Sequence, residues 1–265
     1  MNRERALTTA VSAAKEAGAI LRGGRREEKY ASTKSFRHDP VTVFDRRSEA
    51  LIVERIARAF PSHGILGEEG TAKEGASQYR WVIDPLDGTN NFLRGYPQFA
   101  VSLALLCGEE PEVACIYDPV REELFTAICK EGALLNGEPL RVSRQSSLDG
   151  AFIGVGFSSR PERALRTYVA MEELLPVVRA VRTGGAAVLD LAYVAAGRLD
   201  AAWYISLSLW DVAAGLLLIR EAGGRASDLA GKPLSNPENG LIISNGRIHG
   251  EFLRTVGERK ASDPG

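Results

Sequence analysis

Cysteine and histidine are scarce in this 265-residue chain, three of each. Cys107, Cys115 and Cys129 are too few for a disulfide framework and none stands in a CxxC pair, so a disulfide scaffold is excluded. All three fall in apolar, strand-like sequence and are expected as buried reduced thiols of a cytoplasmic protein. His38, His63 and His249 match no metal-binding spacing and are expected to be surface or structural residues. Long apolar runs are missing: nothing reaches the roughly 18 residues that a membrane-spanning helix needs, and the opening MNRERALTTA carries no apolar signal core. An excess of either charge is missing too. Lys plus Arg number 33 against 34 Asp plus Glu, a net charge of −1. That argues against a chain-wide basic surface for nucleic acid and against an acidic solvating tail.

What is present is ordinary for a globular protein, with 45% hydrophobic and 25% charged residues. The length suits one large or two small domains with a real core. Leu7, Ala10, Val11, Ala14, Ala17 and Leu21 recur at helical spacing over 6–21, and Ile52, Ile56 and Phe60 over 46–60, where Pro61 stops the helix. The charged run 22–29 between them reads as a solvated helix end or as an anion patch. Short β-like runs follow at 64–67, 79–84, 98–107, 112–117 and 122–128. KEGALLNGEPL (130–140) reads as a hairpin turning at Asn136-Gly137. From about 150 strands and helices alternate: strands at 150–155, 177–182, 198–204 and 241–244, helices at 161–175, 185–196, 210–222 and 246–256. Such alternation implies α/β layering. The polar stretch VSRQSSLDG (142–150) is the expected seam, and the tail GERKASDPG is expected to be disordered.

The densest chemistry lies in YRWVIDPLDGTNNF, 79–92. An apolar strand runs into Asp84, Pro85 is expected to end the ladder there, and Asp87 follows in the turn. Two close carboxylates repel unless a cation sits between them, and carboxylates with a turn carbonyl are the oxygen ligands that Mg²⁺ prefers. Gly88 lets the backbone approach an anion closely. A helix beginning at Thr89 would present free N–H groups to a phosphate beside the metals. The same residues also read as a plain turn and helix cap. DPLDGT is similar to the DxDGT of haloacid dehalogenase-type phosphatases, but the nucleophile's position there is Pro85 here, which argues against an aspartyl-phosphate mechanism at this motif. Three further segments are ambiguous alone. GEEG (67–70) reads as an acidic turn. Asp211 in WDVAAG (210–215) reads as a helix cap. Asp45 in KSFRHDPVTVFD (34–45) also reads as the cap of the helix that follows.

Together, Lys34 with DPVTVFD, GEEG, WVIDPLDGTNNF and WDVAAG stand in the order and spacing of a known family. The stretch Thr183–Val188 and AAGRLDA (195–201) also fit. The chain resembles the inositol monophosphatase family of Mg²⁺-dependent, lithium-sensitive phosphatases, over nearly its whole length. The resemblance implies a layered αβαβα sandwich of the sugar-phosphatase type. Residues 1–145 would form an α+β part carrying most metal ligands, and 146–265 an α/β part carrying Asp211 and the substrate-alcohol side. It implies two or three Mg²⁺ ions: one on Glu68, Asp84 and the Leu86 carbonyl, a second on Asp84, Asp87 and Asp211, and a weaker third on Glu68 and water. Thr89 and Asp45 would activate a metal-bound water. The N–H groups of Gly88 and Thr89 would cradle the phosphate, Lys34 would be a nearby cation, and Glu69 would be a further residue of the site. Gly184, Gly185, Ala186 and Tyr204 would meet the alcohol. Two positions depart from the inositol-selective pattern. Tyr204 stands where a Glu usually grips vicinal hydroxyls, offering one O–H and a flat apolar face instead. Gly185 stands where Ser or Thr is common.

The function implied is hydrolysis of a small phosphomonoester, foremost myo-inositol 1-phosphate. Fructose 1,6-bisphosphate, histidinol phosphate or a 3′- or 2′-phosphorylated nucleotide are alternatives. A cytoplasmic homodimer without nucleic acid or membrane partners is expected. A different class stays open: some bacterial family members bind the transcription machinery, with activity dispensable. So does a divalent-ion store without turnover, for which Thr89 and Asp45 would have no use.

Overall fold

The computed structural model describes residues 1–24, 31–33 and 40–257. Lys34, most of the charged run 22–29 and the tail after 257 lie outside the described residues. The chain stacks in five layers, helices alternating with two sheets.

The first layer is α1 (Arg3–Gly24) and α2 (Val43–Ala59), preceded by a short antiparallel pair, β1 (Ala31–Thr33) and β2 (Pro40–Thr42). The second is an eight-stranded sheet. Its strands are β3 (Gly64–Gly67), β4 (Ala72–Lys73), β5 (Tyr79–Asp87), β6 (Ala100–Cys107), β7 (Glu110–Asp118), β8 (Glu123–Ile128), β9 (Gly132–Leu135) and β10 (Glu138–Pro139). They lie in the order β10-β9-β8-β7-β6-β5-β3-β4, antiparallel except where β3 runs beside β5. A one-and-a-half-turn helix, α3 (Thr89–Arg94), follows β5.

The other sheet has five strands: β11 (Phe152–Val155), β12 (Ala180–Arg182), β13 (Ala201–Tyr204), β14 (Arg225–Ser227) and β15 (Leu241–Ser244), ordered β12-β11-β13-β15-β14. Between the sheets lie α5 (Ala187–Ala195) and α6 (Leu209–Glu221); outside the second sheet lie α4 (Pro161–Leu174) and α7 (His249–Val256).

Sequence periodicity explains the layering. Along β6, Val101, Leu103 and Leu105 pack against α1 and α2, while Ala100, Ala104 and Leu106 face α5 and α6. That is the period-two alternation of a strand buried on both faces. The middle layer is mostly small on the sheet side, with Ala100, Ala104, Ala114, Ala127 and Ala133 facing α6 and its neighbours. Burying one of the larger outward residues, such as Leu103, contributes about 1.5–3 kcal/mol.

Most expected elements are present with ends moved by a few residues. Three differences have physical causes. The helices expected from 46 and 210 begin at Val43 and Leu209, because Thr42 and Ser208 are the capping residues and Asp45 and Asp211 the third residues of two capping boxes. The strand expected to end at Asp84 runs on to Asp87. Only Cys115 is fully buried; Cys107 and Cys129 sit half-buried at strand ends, and all three are free thiols. His63 and His249 are structural. His63 accepts from Trp81 Nε1 at 3.2 Å within an aromatic stack, and His249 bridges Ser244 and Ser227 at 2.8 and 3.0 Å. His38 lies outside the described residues.

Candidate active site

The site is built on an irregularity of β5. Asp84 stands opposite Ser102 of β6 and Asp87 opposite Ala100, so three steps on one strand match two on the other. In a regular strand, residues three apart point to opposite faces. The bulge inserts one residue and returns Asp87 to the side of Asp84. Pro85 is tolerated because the ladder is already broken there. The Leu86 N–H folds back onto Asp84 Oδ1 at 3.0 Å, fixing the turn.

Two other elements bring acids to the same place. β3 runs parallel to β5, and the Glu68 N–H donates to the Ile83 carbonyl at 3.1 Å, which sets Glu68 beside Asp84. Buried Glu49 of α2 braces this turn by accepting the Glu69 N–H at 2.8 Å and the Thr71 hydroxyl at 2.6 Å. Asp211 enters from the first turn of α6, where its Oδ2 accepts the Ser208 N–H at 2.7 Å. Glu68, Asp84, Asp87 and Asp211 line one cavity of about 190 Å³, with Leu86, Gly88, Thr89 and Gly185 completing the wall.

Carboxylates gathered around one cavity oppose the ionisation of Asp84 and Asp87. Burial, then Glu68, Asp87 and Asp211, push Asp84 well above the ordinary carboxylate range. Burial and Asp211 push Asp87 up in the same way, opposed by the Val188 N–H at the start of α5, which donates to Asp87 Oδ2 at 2.8 Å. The donor set is all oxygen, with carboxylates and a turn carbonyl, which suits a hard divalent cation. Glu68 and Asp84 stand within hydrogen-bond reach of each other, although among the described residues no three acidic, histidine or cysteine side chains are placed to hold an ion as they stand. Mg²⁺ usually keeps several waters and takes only one or two carboxylates directly.

At the rim, Thr89 Oγ lies 3.1 Å from Asp45 Oδ1 and 3.1 Å from the Leu86 carbonyl. The other oxygen of buried Asp45 takes the Thr42 N–H at 2.8 Å, so the capping box of α2 also orients the carboxylate facing Thr89. Gly88 precedes α3 with φ of 88°, and a Cβ there would stand 2.8 Å from the Gln98 carbonyl, so only glycine fits. Asn91, which sequence reading did not single out, donates from Nδ2 to the carbonyls of Gln98 at 2.7 Å and Gly184 at 2.9 Å, tying α3 to the Gly184–Gly185 loop.

A second cavity of about 460 Å³ adjoins the first and shares Asp87 and Gly185 with it. Ala186 and Tyr204 line it, with Phe157, Ser158 and Ile205. Gly184 and Glu69 line neither cavity, and Lys34 lies outside the described residues. The O–H of Tyr204 donates to Asp190 Oδ2 at 2.6 Å beneath the cavity wall, so what Tyr204 presents is its ring. The ring lies across Gly156, where a Cβ would come within 2.1 Å of Cε1. Asp190 is 3% exposed, and burial pushes its carboxyl up to about 7 although the Tyr204 bond opposes this. Sequence reading passed over Asp190. Its signal was a lone acid inside the apolar run AAVLDLAYVAA.

The profile of the inositol monophosphatase family matches residues 2–261 of the chain. The Nus factor SuhB of Pseudomonas aeruginosa is 44% identical over 257 residues, covering 94% of this chain and 95% of that protein. Among solved structures, the extragenic suppressor protein suhB of Bartonella henselae superposes with a TM-score of 0.92 at 36% identity, covering 96% of this chain and 99% of that one. The inositol monophosphatase of Anabaena superposes with a TM-score of 0.86 at 37% identity, covering 97% and 96%.

Proposed function

The chain belongs to the inositol monophosphatase family, and from that premise we propose that it is a Mg²⁺-dependent phosphomonoesterase acting on a small phosphorylated alcohol. The observation that carries this reading is the single cavity lined by Glu68, Asp84, Asp87, Asp211 and the Leu86 carbonyl, with the Thr89–Asp45 pair on its rim.

Glu68, Asp84, Asp87, Asp211 and the Leu86 carbonyl would hold two or three Mg²⁺ ions. Bound there, the ions would supply Lewis-acid polarisation of the phosphoryl group and of water. The chain's residues do the rest. Asp45, its outer oxygen held by Thr42, accepts a proton from the Thr89 hydroxyl, which leaves Thr89 Oγ free to accept one from attacking water. The N–H groups of Gly88 and Thr89 receive a phosphoryl oxygen at the start of α3. Phosphate esters need little covalent help beyond such positioning and electrostatics.

The alcohol would enter the adjoining cavity past Gly185 and Ala186. Because the Tyr204 hydroxyl is engaged by Asp190, this wall offers an apolar ring where a pair of vicinal hydroxyls would need an acceptor. Inositol 1-phosphate remains the reference substrate. A sugar bisphosphate, histidinol phosphate or a nucleotide 3′- or 2′-phosphate fits the ring as well or better. A panel of phosphate-release rates with Mg²⁺ tests this. Turnover of none of them would overturn the proposal, and a hundredfold preference for another member would remove the inositol label. Millimolar Li⁺ is expected to inhibit in competition with Mg²⁺. Cytoplasmic location and a homodimer belong to the same proposal. Three free thiols support the first. An exposed apolar stripe on α4, with Leu165, Tyr168 and Val169, supports the second, which sedimentation would check.

The relatives named Nus factor favour a second reading, in which the chain serves the transcription machinery without needing turnover. Capture from lysate by wild type and Asp84→Asn separates the two. A binding role predicts the same partner on both proteins, and an enzymatic role alone predicts none on either.

A further inference from the structure

Away from the acidic cavity, a solvent-facing cleft of about 460 Å³ is lined by Arg141, Arg144 and Arg247, with Ser143, Ala222 and Asn245 among its other residues. No acidic and no aromatic side chain lines it. Several other arginines of this chain are paired, Arg3 with Glu112, Arg22 with Glu122, Arg55 with Glu16, Arg198 with Glu123 and Arg220 with Glu110, while others such as Arg58 and Arg94 stand singly on the surface. Among the described residues, the guanidinium groups of Arg141, Arg144 and Arg247 have neither an ionic nor a hydrogen-bonded partner. The acids near them pair with other groups, and Asp200 sits behind the cleft wall, where its Oδ1 accepts the Ser143 hydroxyl. Glu221 accepts the Gly132 N–H at 3.1 Å, Glu251 the Leu148 N–H at 3.0 Å, and Asp200 the Phe152 N–H at 2.7 Å.

The backbone carrying these arginines is braced. Asn245, 3% exposed, donates from Nδ2 to Ser143 Oγ at 2.9 Å and to the Gln145 carbonyl at 2.8 Å. Its Oδ1 accepts the N–H groups of Arg247 at 3.0 Å and Ile248 at 3.2 Å. One buried amide therefore joins the segment of Arg141 and Arg144 to the segment of Arg247, and the Val142 N–H ties both to the end of α6 through the Ala222 carbonyl at 3.2 Å. Three exposed cations carried on one braced frame attract an anion that can reach more than one of them, an attraction that salt screens.

We propose that this cleft is a second, non-catalytic anion site that takes a small, multiply charged phosphoryl ligand. Guanidinium forks match phosphoryl oxygens two at a time, and the volume is that of a small-molecule site. The missing aromatic residue disfavours a stacked base, and with it single-stranded nucleic acid. The proposal is independent of the phosphatase reading, since the two cavities share no residue.

The test is calorimetric titration of the full chain with inorganic tripolyphosphate at low salt in EDTA, where the metal-free acidic cavity repels anions. One site per chain is expected, weakening as salt rises. Arg141→Gln with Arg247→Gln should weaken it at least tenfold. Arg58→Gln, which removes an exposed charge on α2, should leave it unchanged. Absent binding at millimolar ligand, equal affinity in the double variant, or equal weakening by Arg58→Gln would overturn the proposal. Arginine-dependent binding of a single-stranded RNA without tripolyphosphate binding would overturn it in favour of nucleic acid. The double variant should keep its melting temperature and its Mg²⁺-dependent phosphate release, so its behaviour is separable from any failure of the phosphatase reading.

Discussion

Replacing Tyr204 by phenylalanine removes one oxygen atom and leaves the ring over Gly156 in place. The loss falls on Asp190, whose Oδ2 accepts the Tyr204 hydroxyl at 2.6 Å. Asp190 titrates at about 7 in the fold against 3.8 for a free aspartate, so the fold disfavours its ionised form by about 4 kcal/mol. The folded chain keeps this proton to higher pH than the unfolded chain does. The contribution to stability is therefore full below pH 3.8 and is lost as the pH rises through 7. Phenylalanine makes that loss with rising pH larger. At pH 5 the carboxyl is protonated, and losing the bond costs about 1 kcal/mol, the scale of a neutral hydrogen bond. At pH 8.5 the carboxylate either stays uncompensated or holds its proton against the solvent, and the cost rises to about 2–3 kcal/mol. Urea unfolding of both proteins at the two pH values, in EDTA, measures the difference. An equal penalty at both, or none at either, would refute the claim that Tyr204 is committed to Asp190.

Thr89→Ala should lower kcat by at least about 100-fold, the scale of a lost proton-transfer or electrostatic group, with the fold intact by circular dichroism. Asp84→Asn should raise the melting temperature of the metal-free chain by about 2–4 °C, which corresponds to about 1 kcal/mol in a chain of this size, because it removes a buried carboxylate that three others oppose. Mg²⁺ should then stabilise wild type but not the variant; equal melting without metal would count against the repulsion. Burial pushes His249 down to about 4 against an ordinary 6.5. The unfolded chain therefore takes the proton first. Stability should fall from pH 6.5 towards pH 4, by up to about 3 kcal/mol, and His249→Gln should flatten that fall in urea midpoints.

The parts of the site that sequence reading reached are those whose chemistry is local. WVIDPLDGTNNF carries two acids, a proline and a glycine at fixed spacing, and the structure brings Asp84, Leu86, Asp87, Gly88 and Thr89 to one wall. The strand–helix alternation after 150 was equally legible, because apolar period alone specifies it. What stayed hidden acts across the fold. Glu49 reads as one more polar residue of an amphipathic helix until it meets the Glu68–Glu69 turn, 20 residues away. Asn91 reads as a turn residue until its amide reaches Gly184, 93 residues on. The bulge at Pro85 is invisible in sequence because proline signals the end of pairing, whereas its neighbours pair with β6 on either side of it.

The middle layer has an evolutionary consequence. α5 and α6 are encoded in the second half of the chain, yet their buried faces serve both sheets, and α6 delivers Asp211 to acids encoded in the first half. Neither half is therefore a transferable module. A gene fragment covering the first half would carry most of the charged site but leave the alanine-lined face of its sheet bare. One covering the second would carry the helices without the surface they were shaped for. Recombination at the seam between the sheets should yield insoluble fragments, and partial activity should return only when both fragments are expressed together. Lineages with this architecture should then diversify by exchanging side chains around the cavity that Tyr204 lines, and not by exchanging halves.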